Sequence, residues 1–386
     1  MGPAHGDGQH RIRPARYRRI RRGGLRPMAQ GPTRFPQPAR AAAMTGRSFV
    51  RACFLLATIA GCAKPSGTLF DPVFPPIVFP PPPDRARVAY VGELSTDRDL
   101  RPGTTGWQAL KEFVAGAPPE RSVSAPAGLW LTPDDRLFVT DPPQHCVHVF
   151  DFQARTYRTL SEAGGSPLVS PADVTIVDGR AYITDAGRGV IDVFSDRGDY
   201  QTSLMVGRLT RPVGITFERD LRRLYVVDAA VHAVIGISLE GVEQTRFGRR
   251  GGGEGELNFP TFIDAHPVTG IVVADSLNFR VQIFSPDGKP RRSFGRKGDA
   301  AGDFALPKGV AIDPAGRIWV ADAHFENIQA FDDQGTLLMA FGREGRKPGE
   351  FWMPSKLAFD TRRRLWVADT YNRRIQVFRL LEEPPA

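Results

Sequence analysis

The 386-residue sequence predicts an all-β chain: a ring of six four-stranded antiparallel blades, closed by a strand from its N-terminal side. Three observations predict it. A short β-rich run ending in Asp recurs at Asp141, Asp185, Asp228, Asp275, Asp322 and Asp369, at intervals of 43 to 47 residues. Roughly fifteen residues before each Asp stands a proline: Pro126, Pro171, Pro212, Pro260, Pro307 and Pro354. A third run follows each Asp, as in Arg280–Phe284 and Arg374–Phe378, and a fourth ends in Phe-Gly, as at Phe294-Gly295 and Phe341-Gly342. Four short β-rich runs joined by Asp-Gly and Gly-rich turns, repeated at such a period, read as the blades of a six-bladed β-propeller. One such sheet cannot bury both faces alone; its neighbours in the ring do so. A helical reading fails because the runs are short, β-branched and interrupted by Gly and Pro.

Composition narrows the function. Hydrophobic residues make up 41% and charged residues 24%, as in ordinary globular proteins. The net charge of +9 is concentrated upstream: residues 1–61 hold 12 Arg and one acidic residue, which leaves the remainder slightly acidic. The ring itself therefore carries no basic excess, which argues against a nucleic-acid partner. Three cysteines, Cys53, Cys62 and Cys146, exclude a disulfide framework.

The segments before the ring are read in order. Residues 1–43 are Arg-, Gly- and Pro-rich with few apolar side chains, so they have no core to offset the entropy of ordering. They are a basic arm or an extension upstream of a true start at Met44; a complete export signal beginning at Met44 favours the second. In residues 44–61, Arg47 and Arg51 precede an apolar run from Ala52 to Ala60, too short to span a bilayer. The run ends in Ile59-Ala60-Gly61-Cys62, which resembles the bacterial lipobox. That resemblance implies lipidation of Cys62, export, and a membrane anchor without a transmembrane helix; Ala63, where Asp would favour the inner membrane in that family, favours the outer membrane. Residues 62–85, with Pro72, Pro75, Pro76 and Pro80–Pro83, are expected as an extended tether.

Residues 86–121 are expected to close the ring and add a rim insertion. The sixth repeat ends at Leu380 after three strands, and Arg85–Gly92 has the character of the missing fourth. Trp107–Val114 reads as a short amphipathic helix on the rim. The repeats occupy residues 122–380, and 381–386 form a tail.

The segment FGRKGDAAGDFALPKGVAIDPAGRIWVADAHFENIQAFDDQGTLLMAFG, residues 294–342, resembles the NHL repeat, as do residues 247–295 and 341–378. Repeats one to three are looser, and the third lacks the Asn-x-Arg element. The resemblance implies a six-bladed propeller and says little of activity.

Candidate chemistry is sparse. The repeated Asp is expected to accept backbone N–H groups of the following turn, with Arg280 and Arg374 in a similar structural role. His145, His232 and His324 come from blades one, three and five, and three imidazoles around an open position suit zinc. Their segments resemble those of peptidyl-hydroxyglycine lyases, which share this propeller type, but no matching Tyr and Arg constellation accompanies them. His145 and His232 also fit positions at which ordinary NHL repeats carry histidine. Cys146 is expected as a buried structural thiol. The loops carry Arg249, Arg250, Arg280, Arg296, Lys297, Arg343, Arg373 and Arg374, a candidate face for an anionic protein or glycan. The sequence thus predicts a non-enzymatic, monomeric binding module at the cell envelope without a cofactor. The alternative is a metal-dependent lyase or hydrolase with a zinc site in the central channel.

Overall fold

A computed structural model describes residues 67–101, 114 and 120–381. Six antiparallel sheets follow one another along the chain. In each, the second strand ends on the repeated Asp: Arg136–Asp141, Arg180–Asp185, Arg223–Asp228, Gly270–Asp275, Ile318–Asp322 and Arg364–Asp369. The first strand of every blade touches the first strand of the next, and the sixth touches the first, so the ring closes around an axis lined by first strands.

The second strands are buried along nearly their whole length because a neighbouring blade covers each face. Alternation along Arg364–Asp369 shows how. Leu365 and Val367 join Trp319 and Ala321 of blade five in one cluster. Trp366 and Ala368 join Leu137 and Val139 of blade one in another. Side chains of a strand point alternately to opposite faces, so every blade contributes to two cores.

Blade six is completed by the chain's own N-terminal side. Val88–Leu94 pairs antiparallel with Arg374–Leu380, matching Val88 to Leu380, Tyr90 to Phe378 and Leu94 to Ile375. The strand starts later than the expected Arg85 and runs past Gly92 to Leu94, because a bulge between Tyr90 and Gly92 lets the pairing continue. Val88 and Leu94 are fully buried.

The tether expectation needs correction over its described part. Val78–Phe79 pairs with the closing strand as a fifth strand. The Phe79 ring lies 5.0 Å from Phe341, and the Phe70 ring 6.1 Å from Trp366. Asp71 forms an ion pair with Arg101. Proline restricts φ and removes donors, but it leaves neighbouring aromatic side chains free to pack: Phe70 and Phe79 are half-buried, while Phe74 stays exposed. Beyond the closing strand, the carboxylate of Asp99 accepts from the Ser95 and Thr96 amides at 2.6 and 2.8 Å and fixes a short turn over Asp97–Leu100. The expected rim helix falls outside the described residues except for Val114, which is helical and exposed. Among the described residues no helix is long and apolar enough to cross a membrane.

Candidate functional site

The six repeated carboxylates are buried and share one task. Each accepts a backbone N–H from the residue two before its own blade's lead-in proline: Ser124, Val169, Thr210, Asn258, Ala305 and Trp352, at 2.5 to 2.8 Å. The Asp thus staples the lead-in of its own blade's first strand. The expected bond to the following turn is present as well at Asp185 and Asp322, through Gly187 and His324 amides at 3.0 Å. Burial opposes ionisation of Asp141, but His148 and the Ser124 amide outweigh it and hold its carboxyl below the usual range.

Blades four and six add side chains to this staple. Asp369 Oδ2 accepts from Asn372 Nδ2 at 2.9 Å, Arg374 Nε at 2.8 Å and Gln376 Nε2 at 3.0 Å. Arg374 donates further to the carbonyls of Arg346, Lys347 and Glu350 and to the Glu93 carboxylate. Arg280 does the same with Asp275 and the carbonyls of Gly252, Gly253 and Glu256. Both arginines are frame rather than ligand face. Arg249, Arg296 and Arg343 each pair with the acid seven residues on, Glu256, Asp303 and Glu350. Lys297 sits over the Phe279 ring. Arg250 and Arg373 are exposed with no carboxylate partner among the described residues.

The three histidines are not brought together. Four residues past the repeated Asp, all six turns place a residue at positive φ: His145, Gly189, His232, Phe279, Glu326 and Arg373, between 53° and 66°. His145 and His232 use that position to reach the next blade's lead-in: His145 Nδ1 lies 2.6 Å from the Val169 carbonyl, and His232 Nδ1 accepts the Phe259 amide at 3.0 Å. In blade five this position belongs to Glu326, which accepts the Met353 amide. His324 stands two residues earlier, exposed beside Phe325. Among the described residues no three His, Cys, Asp or Glu side chains gather as a metal site. Blade spacing suggested equivalence, but turn position decides direction, and His324 is out of step.

Cys146 has a neighbour that sequence reasoning missed. His148, two residues on and therefore on the same strand face, places Nε2 at 3.7 Å from Cys146 Sγ and 3.1 Å from Asp141 Oδ2; its Nδ1 meets the Tyr157 hydroxyl at 2.6 Å. This is no nucleophile triad. Thiol and carboxylate share one ring nitrogen, and burial pushes the thiol up to about 12. His148 replaces the glutamine that bonds Asp275 and Asp369 in blades four and six.

The axis is crossed by another set. Two residues past the lead-in prolines stand, in ring order, Gly128, Asp173, Gly214, Phe262, Gly309 and Lys356. The glycines of blades one, three and five allow first strands to touch: a Cβ on Gly309 would lie 1.8 Å from the Ser355 carbonyl oxygen, and one on Gly128 2.6 Å from Asp173 Cα. The larger residues of blades two, four and six meet in the middle. Lys356 Nζ is 2.8 Å from Asp173 Oδ2 and 5.0 Å from the Phe262 ring centre. Non-adjacent blades can meet in this way only across the axis. Burial pushes the Asp173 carboxyl up, and the Lys356 ammonium opposes it.

On the loop face lies a cleft of about 770 Å³, between blade six and the start of blade one. Trp352 and Tyr371 stand exposed in it, edge to face at 5.6 Å, and the Arg346 guanidinium lies 5.4 Å over the Trp352 ring. Arg373 completes the wall, with Glu93 and Ser124 opposite. Aligning the repeats on Asp and Pro would have flagged both rings: Trp352 sits where the other blades carry Ser, Val, Thr, Asn and Ala.

A family model for the NHL repeat matches residues 351–378, the lead-in and first three strands of blade six. The chain is a six-bladed β-propeller with an NHL repeat in its sixth blade. No curated protein matches this chain in sequence. Among solved structures, it is similar to a protein of unknown function from Bacteroides thetaiotaomicron at 13% identity and TM-score 0.56, over 68% of this chain and 70% of that one. It is similar to an auxiliary nutrient binding protein of the same organism at 15% identity and TM-score 0.53, over 67% and 70%. A streptogramin B lyase matches at 14% identity and TM-score 0.51, over 67% and 94%. At these identities the likeness is one of fold.

Proposed function

We propose that this NHL propeller is a non-enzymatic recognition module, held at the cell envelope through a lipid on Cys62, that presents its loop face to a protein or other envelope ligand. The observation that carries the reading is the loop-face cleft. Its exposed Trp352 and Tyr371, and its Arg346 and Arg373, which have no carboxylate partner among the described residues, stand on loops fixed by Asp369 and Arg374. Rigid loops carrying aromatic and guanidinium groups suit binding. The rival reading, a metal-dependent lyase or hydrolase, draws no support from His145, His232 and His324, which serve separate turns.

Capture from envelope extracts tests the face. The parent should retain a component that Trp352→Ala loses while melting at the parent's temperature; equal capture by both would overturn the loop-face reading. The anchor is tested separately: Cys62→Ser should accumulate as precursor and leave the detergent phase. Mature, unlipidated protein beginning elsewhere would sink it.

A further inference from the structure

We propose that the loop-face cleft of blade six binds the carboxylate-bearing rings of an acidic polysaccharide. This rests on the loop face being the recognition surface and adds the chemistry of what it recognises.

Charge comes first. Among the described residues, neither Arg346 nor Arg373 has a carboxylate within ion-pair distance, whereas Arg249, Arg296 and Arg343 on the same face are each paired within their own loops. Glu93, the acid in the cleft wall, is engaged by Arg374 Nη1 at 2.7 Å. Two guanidinium groups without a carboxylate partner therefore line the cleft, that of Arg346 resting on the Trp352 ring, and a guanidinium matches a carboxylate with two parallel hydrogen bonds. Beside them, Trp352 is 37% exposed and Tyr371 55%. An exposed indole and phenol offer flat apolar surface to the C–H face of a sugar ring, with polar edges for its hydroxyls.

The backbone decides between a sugar and a peptide. A peptide that adds to a sheet is held through main-chain hydrogen bonds to a free strand edge. Here five of the cleft's backbone amides are already used. The Ser124 and Ala125 amides serve Asp141, that of Trp352 serves Asp369, that of Tyr371 serves the Trp352 carbonyl, and that of Arg373 the Thr370 carbonyl. What the cleft chiefly presents to a ligand is side chains: two rings and two guanidinium groups. The volume of about 770 Å³ lies within the usual range for ligand sites and accommodates a short oligosaccharide.

The test is calorimetric titration of the full chain with trigalacturonate, neutral maltotriose and hexaglutamate. Trigalacturonate should bind, and the other two should not. Arg373→Gln and Arg346→Gln should each weaken binding by about tenfold or more, Trp352→Ala should abolish it, and Arg249→Gln should leave it unchanged. All variants should melt with the parent, since these side chains are exposed. Absence of trigalacturonate binding, equal binding of maltotriose or of hexaglutamate, or indifference to Arg373→Gln would overturn the proposal. If no probe binds while Trp352→Ala still loses envelope capture, the ligand class fails and the loop-face reading stands. If capture survives Trp352→Ala, the loop-face reading fails.

Discussion

Lys356 of blade six reaches Asp173 of blade two at 2.8 Å across the axis, with both side chains almost fully buried. Asp173 also accepts the Ile215 amide of blade three at 3.0 Å, so this carboxylate joins three blades. Lys356→Met would leave the carboxylate buried without its counter-charge. Losing one partner of a buried pair costs about 3–5 kcal/mol. Urea unfolding at neutral pH should show a loss of that order for the single variant. Adding Asp173→Asn, which keeps an acceptor for Ile215, should recover most of it. A single variant as stable as the parent would mean that the pair is not a tie across the ring.

The N-terminal strap gives a second prediction. Full burial of a Phe side chain contributes about 1.5–3 kcal/mol, and Phe79 is half-buried, so its share is the smaller part of that. Phe79→Ala should therefore lower the melting temperature measurably, and deletion of residues 67–83, which also removes Phe70, should lower it more. Deletion through residue 92 strips Val88 and Tyr90 as well and bares the edge of Arg374–Leu380. That form should aggregate on size-exclusion chromatography. Parent-like melting of all three variants would show that the strap contributes nothing to closure.

Glu326 gives a pH dependence of uncommon sign. Burial pushes its carboxyl up to about 7, with Asp369, Glu344 and Asp322 adding repulsion and the Met353 amide opposing. The folded chain then keeps a proton that the unfolded chain releases near the ordinary value of 4.5. Stability from this group falls as pH rises between those two values and is level above them. Glu326→Gln stays neutral and retains an oxygen for the Met353 amide. Its advantage in melting temperature over the parent should grow between pH 5 and pH 8. A constant gap would show that Glu326 ionises normally.

The ring was legible because its signals are local and repeated: each Asp and each lead-in proline does the same job six times. What stayed hidden depends on position within a turn or on contacts between distant blades. His145 and His232 occupy one turn position and His324 another, a two-residue difference that interval counting overlooks. Asp173 and Lys356 are 183 residues apart and belong to blades that are not neighbours. The prolines before residue 84 drew attention to backbone stiffness and away from Phe70 and Phe79. Arg280 and Arg374 were plausible both as frame and as ligand face, and only their carbonyl partners separate the two roles.

The order of strands in blade six also determines how the molecule bears load. Tension applied upstream of residue 67 meets the Asp71–Arg101 clamp and then Val78–Phe79, the outermost strand, before it reaches Val88–Leu94. The strap is thus a sacrificial fastening. The seam between Val88–Leu94 and Arg374–Leu380 lies inside it in the strand order and would take load only after it. A pull on the N-terminal side would be absorbed there before it distorted the loops on the working face.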